Sequence, residues 1–342
     1  MCKTIGWDIG GAHLKAVLLE DGKVVQALQL TCELWRGLDR LEAACNKALQ
    51  AFDVDTKTPQ HAITMTGELV DLFANREQGV LQISHTLSNL LGKQTFFYAG
   101  GLSNQNHKFV PIAGVLAHAG AIASANWHAS ASLLAKHAPN ALFVDIGSTT
   151  TDIIAIKNGL VNTQGESDAK RMQHDTLIYT GVVRTPVMAL AQKLPFKGAM
   201  VNVAAEYFAT MADVYRLTND CLAENDMAET ADGKGKSIDE SARRLARMIG
   251  HDLEDDTIES WKNLALNCKN KQMNQIKTAI IKHSQPGTPI IGAGAGAFLV
   301  QQLARELDCD YLAIGQVLGT DLAENVSVCF PAYAVASLLP PC

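Results

Sequence analysis

Two short stretches of this 342-residue chain set an aspartate beside a glycine turn, Asp8-Ile9-Gly10-Gly11 and Asp145-Ile146-Gly147-Ser148. Glycine lets a backbone approach a phosphate closely, and the N–H groups of such a turn point at its oxygens. An aspartate closing the strand before the turn is placed to hold Mg²⁺, directly or through water. Asp8 and Asp145 are therefore candidate catalytic and metal-binding residues, with Asp152 added to the metal set. Gly10, Gly11, His13 and Lys15 in the first hairpin are candidate phosphate contacts. Gly147, Ser148, Thr149 and Thr150 are their counterparts in the second, where Ser148 to Thr151 present four consecutive hydroxyls. Alternate members of that run could face a phosphate. One such hairpin reads as a structural turn; a facing pair reads as a grip on a polyphosphate.

Further candidates are scattered. Glu68 follows the apolar run Ile63 to Met65, and strand C-terminal ends are where α/β active sites collect. It reads as an acid/base or metal residue, or as a carboxylate stabilising a helix N-terminus. Arg184, on the irregular segment Tyr179 to Pro186, suits a bidentate diphosphate contact or a surface ion pair. Gly292, Gly294 and Gly296 follow an apolar strand and precede a helical run, a candidate nucleotide or ligand rest. A dinucleotide-binding unit is disfavoured there, because too little chain follows for its later strands and helices. His128, beside Trp127 in an Ala-rich stretch, reads as a packing histidine, and Asp232 to Lys236 as a solvated turn.

The elements that must position these residues are visible as a repeat. With Asp8 set on Asp145, Gly10 falls on Gly147, Lys15 on Asp152 and Gly22 on Gly159, without a gap. Each copy predicts a meander of short strands joined by tight turns. Between and after them the apolar spacing predicts helices over 38–52, 71–91, 119–137 and 258–283, and a short strand over 62–65. Ser237 and Glu240 form a capping box opening another helix through Ile249. The duplication predicts an α/β architecture of two domains, 1–138 and 139–342, the second with a helical insertion over about 166–286.

Composition bounds the rest. Hydrophobic residues make up 47% and charged residues 19%, the balance of a folded domain. A net charge of −6 argues against nucleic-acid or acidic-membrane partners. The eight cysteines show no C-x-x-C pair, which argues against zinc and predicts free thiols in a reducing compartment. With no signal-like apolar segment and no membrane-spanning run, the expected location is the cytoplasm. Composition is silent on oligomeric state.

The ordered set Asp8 to Gly11, Asp145 to Asp152 and Gly292 to Gly296 resembles the phosphate-1, phosphate-2 and adenosine motifs of the acetate/sugar-kinase, heat-shock-70 and actin superfamily. That resemblance implies two ribonuclease-H-like domains with the ligand in the cleft between them. Met65 to Leu69, Arg76 with Gly79-Val80, Ala125 to Trp127, Tyr179-Thr-Gly-Val-Val-Arg-Thr-Pro186 and Thr230 to Gly233 narrow it. They resemble the tetrahydromethanopterin-linked C1-transfer pathway proteins, a methanofuran synthase-like branch near hydantoinase A and oxoprolinase. The implied reaction condenses an aminomethylfuran-methyl diphosphate with the phenol of a tyramine or tyrosine derivative, releasing diphosphate. Mg²⁺ would be the cofactor, and Glu68 the base taking the phenol proton. ATP is the alternative occupant, which would make the chain a small-molecule kinase or a hydantoinase-like hydrolase. A non-catalytic, actin-like nucleotide-binding protein is the third reading. His13 stands where kinase phosphate-1 turns carry a small or hydroxyl residue.

Overall fold

The structure, a computed structural model, describes residues 2–100, 108–220, 225–319 and 324–341. The chain forms two compact units. One comprises Met1–Asn140, Ile156–Lys170 and Ile314–Cys342, the other Ala141–Ala155 and Arg171–Ala313.

In the first unit, β1 (Lys3–Ile9), β2 (His13–Glu20), β3 (Lys23–Thr31), β4 (Gln60–Met65), β5 (Thr95–Tyr98) and β6 (Phe109–Pro111) form one sheet. Its order is β3-β2-β1-β4-β5-β6, with β1 antiparallel to β2 and parallel to β4. The β2–β3 turn uses Asp21 and Gly22 at φ +48° and +77°, the double left-handed geometry that matches strand twist. Helix Leu38–Phe52 buries Leu41, Cys45, Ala48, Leu49 and Phe52 in the same core as Ile5, Trp7 and Ile9. Helix Arg76–Leu91 starts five residues later than its apolar spacing suggests. Asn75 caps it, accepting from the Gln78 N–H at 2.9 Å.

Two differences from the expected organisation matter. The helix expected over 119–137 is broken into Ala119–Ile122 and Asn126–Ala135, with Ser124 at φ +50° between them. The second domain was expected to run to the C-terminus, yet the last stretch joins the first unit. Helix Phe330–Leu338 is apolar on nearly every side and buries Phe330 to Ala336, so it needs cover all round. It finds that cover on β1, where Gly6 presents no side chain because the Ala332 carbonyl occupies the place.

The second unit is built on β7 (Ala141–Ile146) and β8 (Thr151–Lys157). The short β9 (Leu160–Asn162) belongs to the first unit and packs on helix Asn126–Ala135. There follow β10 (Leu177–Ile178), β11 (Lys193–Phe196), β12 (Ala199–Asn202), β13 (Ile290–Ala293) and β14 (Tyr311–Ala313). The main sheet runs β10-β8-β7-β13-β14, with β7, β13 and β14 parallel, and β11–β12 form a separate hairpin. The region expected to be a helical insertion holds helices Met211–Thr218, Ile238–Arg247 and Ile258–His283 as well as that hairpin. Trp261 stacks on Phe196 at 5.4 Å between ring centres. Asp213, fully buried, balances Arg216 and Arg244 at 2.7 Å each, so its carboxylate is structural.

The described residues contain no helix long and apolar enough to cross a membrane. Cys2 is disulfide-bonded, which departs from the expectation of free thiols throughout; Cys32, Cys45, Cys268, Cys309 and Cys329 are free. Cys221 and Cys342 lie outside the described residues.

Candidate functional site

The two glycine turns close in the same way. The Gly10 N–H donates to the His13 carbonyl at 3.0 Å, and the aligned Gly147 N–H donates to the Thr150 carbonyl at 2.9 Å. The following turns match too, Asp21-Gly22 at +48° and +77° against Asn158-Gly159 at +51° and +73°. The Gly11, Ala12, Ser148 and Thr149 N–H groups donate to no acceptor among the described residues. Each turn thus leaves two consecutive amides without an acceptor, an arrangement that can bind an anion.

Asp8, next to last in β1, is 4% exposed and lies across from Lys15 on β2 and Thr64 on β4. His13 is buried at the start of β2, while Gly10, Gly11 and Lys15 are partly exposed. Asp145 is partly exposed at the corresponding end of β7. Among the described residues no three His, Cys, Asp or Glu side chains gather as a cation cage. Mg²⁺ in phosphate enzymes needs no such cage, since one or two carboxylates and the substrate's own oxygens hold it. Asp152, expected in the metal set, instead balances the buried guanidinium of Arg171 at 2.6 Å. Arg171 also donates to the Thr176 carbonyl at 2.9 Å, tying Asp152 to a structural corner.

Glu68 is drawn to the first glycine turn by the backbone before it. The Thr66 N–H donates to the Ile9 carbonyl at 2.9 Å, and a Cβ at Gly67 would lie 3.1 Å from that oxygen. Gly79 lets helix Arg76–Leu91 sit on the Glu68 backbone; a Cβ there would come within 2.5 Å of the Glu68 carbonyl. The Glu68 side chain is 1% exposed. Ser124 Oγ lies 2.6 Å from Glu68 Oε1 and 3.2 Å from Asp168 Oδ2, and Arg76 donates to that same Asp168 oxygen at 2.8 Å. Glu68 Oε2 is buried with no hydrogen-bond partner among the described residues. Burial pushes the Glu68 carboxyl up to about 7; the Ser124 hydrogen bond pulls the other way, Asp168 adds to the rise and Arg76 opposes it.

Ser124 has one hydroxyl hydrogen and two carboxylates to serve. With Glu68 protonated, Glu68 donates to Ser124 and Ser124 donates to Asp168. With Glu68 ionised, the hydroxyl turns back to it. Ser124 can therefore hand its hydroxyl hydrogen to ionised Glu68 while accepting another proton, with Asp168, fixed by Arg76, as the alternative acceptor. Ser124 and Asp168 were missed from sequence, since nothing in an Ala-rich run announces a residue at φ +50°. Arg76 entered only through the resemblance.

The segment Tyr179 to Pro186 collars the second glycine turn. Val182 donates to the Gly147 carbonyl at 3.0 Å, and Val183 and Arg184 both donate to the Ser148 carbonyl, at 3.1 and 2.8 Å. Gly181 permits this approach, because a Cβ there would stand 2.5 Å from Ser148 and Thr149 backbone atoms. Thr151 Oγ1 donates to the Thr180 carbonyl at 2.6 Å, and the Gly181 N–H to Thr185 Oγ1 at 2.7 Å. Gln272, buried on helix Ile258–His283, braces the collar by donating to Thr180 Oγ1 and the Gly181 carbonyl at 2.7 and 2.9 Å, while its Oε1 accepts from Tyr215. The exposed Arg184 side chain is held next to the turn by its own backbone. Gln272 also escaped the sequence reading; a glutamine on the apolar face of a long helix was its one signal.

Gly292, Gly294 and Gly296 form the expected strand–turn–helix, and each has a packing reason. Tyr311 lies on Gly292, with its ring carbon 2.7 Å from where a Cβ would be. Gly294, at φ +80°, faces Asp145 Oδ1 and the Ile146 carbonyl. Gly296 donates to that carbonyl at 2.8 Å. The turn thus buttresses the end of β7 that carries Asp145. His128 is a packing residue, its Nδ1 within 2.9 Å of the Tyr98 hydroxyl.

A duplicated meander, each copy feeding parallel strands and closing on a phosphate-type turn, defines the actin-like ATPase and sugar-kinase fold. Component A of (R)-2-hydroxyglutaryl-CoA dehydratase from Acidaminococcus fermentans shares that fold. Its TM-score is 0.50 at 11% identity, over 99% of this chain and 97% of that one. The hydantoinase/oxoprolinase family model matches residues 60–339, and the chain belongs to that family. Among characterised relatives, it is 29% identical over 339 residues to the (4-{4-[2-(gamma-L-glutamylamino)ethyl]phenoxymethyl}furan-2-yl)methanamine synthase of Methanocaldococcus jannaschii, covering 98% of this chain and 97% of that protein. It is 30% identical over 207 residues to the protein of the same name from Methanococcus vannielii, covering 58% of this chain and 90% of the relative.

Proposed function

We propose that this protein is a transferase that joins a phenol oxygen to a furan-methyl carbon, with diphosphate as the leaving group. The relatives' name describes a phenoxymethyl-furan, so the bond made is an aryl ether. The phenol oxygen attacks the CH₂ carbon, the bond from that carbon to the diphosphate oxygen breaks, and the phenol proton goes to a base. The observation that carries the reading is Glu68: a carboxyl raised to about 7, on a turn bonded to the first glycine turn, with a serine relay at 2.6 Å. A base near neutrality is suited to a phenol, whose ordinary pKa is about 10.

In this reading Ser124 accepts the phenol proton as it gives its own hydrogen to ionised Glu68, and Asp168, held by Arg76, takes the Ser124 hydrogen bond once Glu68 is protonated. The free amides of a glycine turn bind diphosphate oxygens and stabilise the charge that develops as it departs, and Arg184 stands beside those of the second turn. Asp8 and Asp145, each beside its own glycine turn, are the candidate carboxylates for Mg²⁺, which would neutralise part of that charge when bound.

The test is direct. Purified protein given Mg²⁺, the aminomethylfuran-methyl diphosphate and a γ-glutamyl-tyramine acceptor should yield the ether by mass spectrometry and one diphosphate per ether. Acceptor-dependent ADP formation from ATP, with no ether, would replace this reading by a kinase.

A further inference from the structure

The first unit holds a cavity of about 560 Å³ at the opposite end of β4 from Glu68. Gln60 begins that strand and lines the cavity; Met65 ends it, roughly 17 Å away at the usual rise per residue. The size is that of a small-molecule site. Phe96, Phe109 and Leu338 supply apolar walls, and Tyr98, opposite Phe109 at 5.3 Å edge to face, adds another.

Against these walls stand two ammonium groups, Lys108 and Lys136. Neither forms an ion pair among the described residues. Lys108 spends one N–H on Ser132 Oγ at 3.3 Å, a neutral partner. Burial, with the charge of Lys136 behind it, lowers the Lys108 pKa. Lys108, half-buried on these apolar walls with a like charge behind it and no carboxylate among the described lining residues, is unfavourable until an anion arrives. Gln60 Oε1, meanwhile, is buried with no donor to accept from among the described residues. An occupant that satisfies all three groups carries a negative charge, a flat apolar body and a hydrogen-bond donor.

The geometry points to a second ligand site here, for a hydroxyaryl carboxylate, lying away from the phosphate turns. Lys108 and Lys136 take the carboxylate, Phe96 and Phe109 cover the ring, and Gln60 accepts from the hydroxyl.

The probe is 6-hydroxy-2-naphthoate, followed by its own fluorescence on the full chain, with 6-hydroxy-2-naphthamide as its neutral counterpart. One acid should bind per chain, the amide at least tenfold more weakly, and inorganic diphosphate should not compete. Lys108→Met should weaken the acid at least tenfold and leave the amide unchanged. Lys136→Met, at an exposed position that folding tolerates, should weaken the acid severalfold. Equal binding of acid and amide, displacement by diphosphate, or acid affinity unaltered in both variants would each overturn the proposal. None of these outcomes depends on whether the protein makes an ether.

Discussion

Replacing Glu68 by glutamine separates the chemistry of this carboxyl from its cost to the fold. In the folded chain its pKa is raised from 4.5 to about 7, chiefly by burial. Below pH 4.5 the group is protonated whether the chain is folded or not, and contributes no pH-dependent term. Between pH 4.5 and 7 the unfolded chain sheds the proton while the folded chain keeps it, so stability falls as pH rises. Above pH 7 the loss is complete. At roughly 1.4 kcal/mol per pH unit, the total is ~3 kcal/mol. Glu68→Gln stays neutral throughout. Urea unfolding followed by circular dichroism at pH 4.5, 6 and 8 should show wild type losing about 3 kcal/mol relative to the variant across this range. The same variant should lose ether formation, because an amide cannot accept the proton. Parallel stability curves from pH 4.5 to 8 would refute the burial argument, and full activity in Glu68→Gln would remove it as the base.

Three more outcomes follow from the geometry. Ser124→Gly accepts φ +50° without strain but removes the hydroxyl that lowers the Glu68 pKa, so the rising limb of the pH–rate profile should move above 7 and the rate should fall. An unmoved limb would exclude the relay. Gly181→Ala drives a methyl onto the second glycine turn 2.5 Å from Thr149 N. It should cost about 1–3 kcal/mol by thermal or urea unfolding and weaken diphosphate binding by calorimetry, whereas unchanged affinity would show the turn tolerates the shift. Arg244→Met removes one of two guanidinium partners from fully buried Asp213, with Arg216 remaining, and should destabilise by about 1.5–3 kcal/mol in urea, with a two-state midpoint shift as the readout.

Much of the fold was legible because it rests on local chemistry. Asp21-Gly22 and Asn158-Gly159 specify the same tight turn by residue type, and the matching Gly10 and Gly147 closures follow from the repeat that carries them. Asn75 and Ser237 mark helix starts through side-chain caps, although only the second was read. The C-terminal helix could not be assigned to its unit from spacing alone. Nothing local in Gly6 says that Ala332 will lie on it, some three hundred residues away.

The sequence by itself determined the two glycine turns, the aspartates beside them and the position of Glu68 at a strand end, since each depends on residue type within a few positions. Tertiary structure decided what those residues are. It gave Asp152 to Arg171, used Gly294 to buttress the strand end at Asp145, and wrapped Tyr179 to Pro186 around the second turn. It broke a helix at Ser124 so that one hydroxyl meets Glu68 and Asp168 together. A pKa near neutrality arises from burial and from neighbours dozens of residues distant, and neither is written in the local run Thr66-Gly67-Glu68.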